Sequence, residues 1–367
     1  MAVTWAKAVS WRLRRHLLDP VGTGSVADVV DRLGPVPAWP DAAAELAIGA
    51  RRTGGRLGDA TRALAAGSVV KAFAFRGATH LMTPRDAGAY LAVRASSRMW
   101  ELPSWESYYG LAPSDWPRFR EYVRRALAEG PLTRSELTAA LGRSSRYRHL
   151  GSLLADGNDT VLKPLTWQGD MALGPARDGQ STFLRPDSIA GWSGIPDLDE
   201  AGPTVVAAYL GTHGPAGPDR VHDWFGKGLG AKRHDINRWL ARLDGQLQDV
   251  TIDGEHVLML REHVDDLATS PAPSAVRLLP GRDPWVMAPG TSDTRIVPPA
   301  RRQAVSTASN LVLARGVVAG TWKLRGERLD IAWFKESGRV PRAALDQEAA
   351  ALGRLLDRRL DVVVELG

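Results

Sequence analysis

The sequence contains no cysteine, which excludes disulfide scaffolds, cysteine-ligated zinc and cysteine nucleophiles. Lysine is scarce: of the 47 basic residues, 7 are lysine and 40 arginine. No apolar run approaches the ~18 residues of a membrane-spanning helix. Residues 1–18 (MAVTWAKAVSWRLRRHLL) alternate apolar and basic residues, unlike the apolar core of a signal peptide. A cytoplasmic location without membrane contact is therefore expected. There is no Gly-x-x-x-x-Gly-Lys-Ser/Thr loop, no His-Glu-x-x-His helix and no Gly-x-Ser-x-Gly elbow. These gaps remove the signatures of phosphate-cradling loops, zinc hydrolases and serine hydrolases. Gly226, Gly228 and Gly230 lie between two short helical patterns and not after a strand, so they do not read as a nucleotide loop. The spacing of His213, His222, His234, His256 and His263 gives no metal-ligand pattern. Neither a metal nor a cofactor is expected.

What the sequence does have is positive charge and tryptophan. Its 367 residues are 44% hydrophobic and 24% charged, an ordinary globular composition. The net charge is +6 and there are 13 tryptophans. The charge is uneven. Residues 1–125 carry 18 basic and 11 acidic side chains, residues 126–272 carry 14 and 20, and residues 273–367 carry 15 and 10. Basic ends around an acidic middle suit a protein that holds a phosphate backbone near its ends. Arginines lying over helix surfaces would give the same counts.

One plan repeats: short helices followed by a hairpin. The hairpin patterns are VVKAFAFRGATHLMTP (69–84), VLKPLTWQGDMALGP (161–175) and LQDVTIDGEHVLMLR (247–261), each with a Gly-containing turn. Before the first lie helical patterns near 4–18, 25–33, 42–52 and 59–66, and a longer one follows at 84–101. Before the second, Thr133-Arg-Ser-Glu136 forms a capping box opening a short helix. The next helix, capped by Ser144 or Ser145, carries Arg146, Arg148 and His149 at its start. Before the third, a helix over 218–225 and a turn at 226–230 lead to a helix over 231–243. Helix, turn, helix and hairpin is the order of a winged helix. Residues 202–220 read as a linker. Residues 276–335 switch to short strands (VRLLPG, PWVMAP, NLVLARGVVAGTWKLRG, RLDIAWF), a pattern fitting a small β-barrel, closed by a helix near 341–357 and a strand at 361–365. The expected fold is α+β, with winged-helix units at 1–112, 113–200 and 201–270 and a barrel at 271–367.

WRLRRHLLDP (11–20), VVDRLGPVPAW (29–39) and AAAELAIGARR (42–52) resemble the N-terminal signature of the AlkZ-type winged-helix DNA glycosylases. RGATHLMTPRDAGAYL (76–91), HGPAGPDRVHDW (213–224), VRLLPGRDPWVMAP (276–289) and VVAGTWKLRGERLDIAWF (317–334) are similar to its later landmarks. The resemblance implies three tandem winged helices and a barrel in a C shape around duplex DNA. It implies hydrolysis of the N-glycosidic bond of alkylated purines, including bulky adducts left by DNA-alkylating natural products, and so self-resistance in a producing bacterium. An N7-alkylated purine is already cationic, so the enzyme needs chiefly to position water and stabilise an oxocarbenium-like state.

In that family a Gln-x-Gln or Gln-x-Asp motif follows the Arg-Leu-Gly block. Here Pro37-Ala38-Trp39 follows Arg32-Leu33-Gly34. Proline has no side-chain donor or acceptor and tryptophan only an indole N–H, so neither positions water as glutamine does. Three readings stay open. Asp41 takes over the catalytic role, or instead caps a helix starting at Ala42 while Glu45 is solvated. Trp39 stacks on a base or adduct, or packs in the core. Alternatively the cleft serves a small DNA-active molecule, or the protein is a winged-helix transcription regulator. Pro37, Trp39 and His80 are the candidate pocket residues. Arg14, Arg15, Arg51, Arg52, Arg143, Arg146 and Arg148 are the candidate DNA contacts. The expected partner is adducted double-stranded DNA, bound by a monomer.

Overall fold

A computed structural model describes residues 3–367. The chain divides into two compact units. One takes the chain up to Ala60 with Val206–Trp224 and Leu240–Gly367; the other takes Thr61–Val205 and Phe225–Trp239. The class is mixed α and β, as expected. Among the described residues no helix is long and apolar enough to cross a membrane.

In the first unit, helix α1 (Trp5–Arg15) is opened by the Thr4 hydroxyl, which accepts the Lys7 N–H. It has two apolar faces. Ala8 and Trp11 pack on the hairpin Leu247–Ile252/Glu255–Leu260, against Val250, Ile252 and Met259. Val9 and Leu13 pack against Leu279, Leu311, Leu313 and Val318 of a five-stranded sheet. Its strand order is Asp361–Leu366, Arg328–Trp333, Val317–Arg325, Asn310–Ala314, Val276–Leu279. The strands alternate as the pleat requires. Leu278, Val312, Trp322, Leu329 and Ile331 bury the opposite face under Leu345, Ala349 and Leu352 of helix Arg342–Leu355.

This sheet is open, and that corrects the expected barrel. Its edges are Val276–Leu279 and Asp361–Leu366, with no bond between them among the described residues. Helix Arg342–Leu355 carries the chain across one face, so the last strand returns parallel to Arg328–Trp333. The expected strand PWVMAP is instead a short helix, Pro284–Met287. Its first turn has proline at its start and Asp283 as the cap, accepting the Trp285 N–H at 2.8 Å.

The second unit holds a sheet in the order Thr79–Met82, Val70–Phe73, Ala172–Arg177, Gln180–Leu184, Leu132–Thr133. The expected capping box is present: the Thr133 N–H donates to Glu136 at 2.7 Å and the Glu136 N–H to the Thr133 hydroxyl at 3.2 Å. The second hairpin lies later than its expected place. Lys163–Trp167 is helical, and the strands turn at Asp178-Gly179, both at positive φ (52° and 75°). Asp-Gly is the strongest short hairpin signal and overrides the apolar run before it. The helix after Arg134–Gly142 starts at Arg148, with Tyr147 and not Ser144 or Ser145 at its cap. The segment expected as linker contains a helix, Leu198–His213, with Pro203 inside it. Burial of Val205, Val206 and Leu210, each at 0–1% exposure, outweighs the one backbone bond that proline removes.

Gly88, in helix Pro84–Ala95, meets the Gly194 carbonyl so closely that an added Cβ would lie 1.8 Å from that oxygen. Gly88→Ala is expected to cost about 1–3 kcal/mol, because backbone and not a flexible side chain must move. Thermal unfolding measures it, and an unchanged Tm would contradict the close approach.

Candidate functional site

Helix α2 (Val26–Leu33) is fixed at its start by a reciprocal Ser25/Asp28 capping box. Its last carbonyls are taken by side chains from the end of helix Leu198–His213. The Thr212 hydroxyl donates to Arg32 O at 2.6 Å, and His213 Nε2 lies 3.2 Å from Leu33 O. A carbonyl only accepts, so His213 carries its proton on Nε2. Its Nδ1, 3.0 Å from His16 Nε2, then accepts from His16. Both rings are buried and neutral. Burial, reinforced by neighbouring arginines, lowers His213 to about 3 and holds His16 well below the usual histidine range.

From this anchored end the chain turns at Gly34, φ 71°, and enters the two-residue strand Val36–Pro37. Pro37 is half-buried and Ala38 is buried, while Trp39 is 62% exposed. Trp39 therefore does not pack in the core. Pro40 holds the N-cap position of helix α3 (Asp41–Gly49) without a side-chain cap bond. Asp41 is the first residue of that helix and not its cap, and its side chain is exposed. Glu45 is not solvated: it is 8% exposed and accepts the Ala60 N–H at 3.0 Å.

Over the Trp39 ring sits Arg282, its guanidinium carbon 5.0 Å from the ring centroid, with Nη1 3.5 Å from the Trp39 carbonyl. Arg282 has φ 62° and is held from both sides. The Gly281 N–H donates to Asn310 at 3.0 Å, and Asp283 forms a two-pronged ion pair with Arg51 at 2.6 and 2.8 Å. Arg51 and Asp283 are both 0% exposed. Arg51 donates further to His16 O and Ala47 O.

The candidate DNA contacts separate accordingly. Arg51 is spent on the core and cannot meet a phosphate, which corrects its expected role. Arg52 is half-buried, bonded to Gly24 O and Asp59. Arg15 bonds Gly211 O at 2.6 Å, and burial lowers it to about 10. Arg14 is exposed, with one nitrogen bonded to Asp266 O and Ser270. In the second unit Arg146 pairs with Asp115, whereas Arg143 and Arg148 are exposed with no carboxylate partner among the described residues. His80 is a packed hairpin histidine, 5% exposed. Its Nδ1–H donates to Ala78 O at 3.0 Å, and burial lowers it to about 4. No group of three or more metal-ligating side chains occurs among the described residues.

Nothing in their sequence neighbourhoods brings Arg282, Asp283, Thr212, His213 and His16 to this site. Gly281-Arg282-Asp283-Pro284 carries a turn-and-cap pattern that marks the loop, but nothing local assigns its partner.

A mixed α and β chain with this Arg-Leu-Gly turn, Arg-Asp-Pro-Trp loop and buried histidine pair falls in a defined class. Residues 30–355 match the family described as DNA glycosylase AlkZ-like, and the chain belongs to that family. It is similar to the interstrand DNA cross-link repair glycosylase of Streptomyces sahachiroi, with 34% identity over 360 residues, 96% of this chain and 97% of that protein. The solved structure of Streptomyces sahachiroi DNA glycosylase AlkZ matches with a TM-score of 0.93 at 33% identity, over 100% of both chains.

Proposed function

We propose that this protein acts in DNA repair by recognising bulky alkylated purines in duplex DNA, with Trp39 as the group that stacks on the lesion. The observation that carries this is Trp39 itself, 62% exposed just after the Arg32-Leu33-Gly34 turn, where the resemblance puts the family's glutamine motif. An aromatic face open to solvent is worth ~1–3 kcal/mol when a base stacks on it. Arg14, Arg143 and Arg148 are exposed cations suited to backbone phosphates. Self-resistance to a DNA-alkylating natural product is the setting this recognition suits.

The test is affinity for a duplex carrying a bulky N7-guanine adduct against the same duplex unmodified. The adducted duplex binds more tightly, and Trp39→Ala loses ~1–3 kcal/mol on it and little on the plain duplex. Binding to both weakens steeply with salt. Equal losses on the two duplexes would remove the stacking role. Preference for one sequence regardless of adduct would instead mark a regulator.

A second reading, excision, is favoured by the position of Asp41, an exposed carboxylate two residues beyond Trp39 at the start of α3. In that reading Asp41 orients the water that attacks C1′. It expects release of free alkylated base from adducted DNA, reduced by about 100-fold or more in Asp41→Asn. No release across several adducts would leave recognition alone.

A further inference from the structure

Trp39 offers a ligand one face only. Arg282 covers the other, 5.0 Å from the ring centroid and within the ~6 Å range of a cation–π contact. The backbone is restrained beneath both partners. Pro37 and Pro40 restrict the backbone on both sides of Trp39, and Ala38 between them is 2% exposed. Arg282 lies between the Gly281–Asn310 bond and the buried Asp283–Arg51 pair. Its contacts are with Trp39: the ring face, and the carbonyl 3.5 Å from Nη1.

Two consequences follow from elementary electrostatics. A ring with one face covered cannot slide between two base pairs, which requires both faces. It caps the end of a stack. In addition, an indole already facing a cation on one side is a poor partner for a second cation on the other, because the ring's negative face is shared and the like charges repel. An N7-alkylated purine is itself such a cation.

We infer that Trp39 and Arg282 form a one-sided subsite for the uncharged, flat aromatic portion of a bulky DNA adduct and not for the cationic purine ring, with Arg282 as a specificity-determining residue. This rests on the lesion-recognition reading above and names the chemical class that reading leaves open.

Three duplexes test it: unmodified, carrying N7-methylguanine, and carrying an N7-guanine adduct with a neutral polycyclic aromatic group. Their dissociation constants are measured for the native chain, Trp39→Ala and Arg282→Met. The quantity read is the ratio of affinities for the two adducts, in which any phosphate contact made by Arg282 cancels. The native chain prefers the polycyclic adduct by about tenfold. Trp39→Ala brings the two within about twofold. Arg282→Met narrows the preference by about threefold by improving relative binding of N7-methylguanine. A native ratio near one, or a preference unchanged by either substitution, overturns the subsite. If neither adduct is bound better than unmodified DNA, the recognition reading itself has failed, a distinct outcome. Both side chains are exposed, so the variants fold; matching Tm values confirm it.

Discussion

Arg51→Ala lowers the unfolding free energy by about 3–5 kcal/mol, the cost of leaving one member of a buried ion pair alone. Asp283 is 0% exposed and its two oxygens take the two Arg51 nitrogens at 2.6 and 2.8 Å. Without the guanidinium its charge has no counterpart and little access to water. Arg51 also serves His16 O and Ala47 O, so those carbonyls lose a donor as well. Asp283→Ala is expected to cost a similar amount, because it strands the arginine and removes the acceptor that caps helix Pro284–Met287. The double variant Arg51→Ala/Asp283→Ala should be less destabilised than the sum of the single variants, since no charge is then left buried. Denaturant unfolding of the four proteins measures the cycle. Additive losses would mean that the two groups do not depend on each other. The substitution also frees the residue after Arg282, so the Trp39 platform loosens with it.

Mild acid should destabilise the protein steeply. His16, His80 and His213 are buried and neutral, with His80 lowered to about 4 and His213 to about 3. In the unfolded chain they titrate near ~6.5. Above that value neither state binds the protons, and the stability is fully present. As pH falls below ~6.5 the unfolded chain takes up protons that the folded chain refuses, and stability is lost until the folded values are reached. Each histidine contributes up to about 1.4 kcal/mol per pH unit below ~6.5, His80 until about 4 and His213 until about 3, and His16 acts in the same direction. Unfolding free energies from pH 8 to 5 read this slope. Replacing His80 with glutamine should reduce it by about a third. A flat profile over pH 6.5–5 would mean the rings are hydrated in the folded protein. The His16–His213 pair sharpens the effect, because its one remaining lone pair, His16 Nδ1, is buried with no hydrogen-bond partner. A proton added there has no acceptor and faces Arg51, Arg12 and Arg15.

Much of the secondary structure was legible because its signals are local. The Thr133/Glu136 box, the hairpins at 70–82 and 247–260 and the helix at 342–355 each depend on a few neighbouring residues. Where two local signals competed, the stronger one prevailed: Asp178-Gly179 placed the second hairpin, and Asp283-Pro284 made a helix of an apolar run. The helix Leu198–His213 was hidden by Pro203 because the apolar burial that sustains it is tertiary. The candidate site was legible at one point, the motif position of Trp39, and illegible around it.

By itself the sequence determined the mixed class, the absence of thiol chemistry, the Thr133/Glu136 box, the first and third hairpins, and the family. Only the tertiary structure decided that Trp39 faces solvent, that Arg282 covers one side of it, that Arg51 is a core residue and not a phosphate contact, and that the C-terminal strands form an open sheet. The physical reason is range. A cap or turn is closed by residues three or four apart, whereas Arg51 meets Asp283 across 232 residues and Arg282 meets Trp39 across 243. An arginine's sequence neighbourhood is the same whether its guanidinium ends in water or in the core.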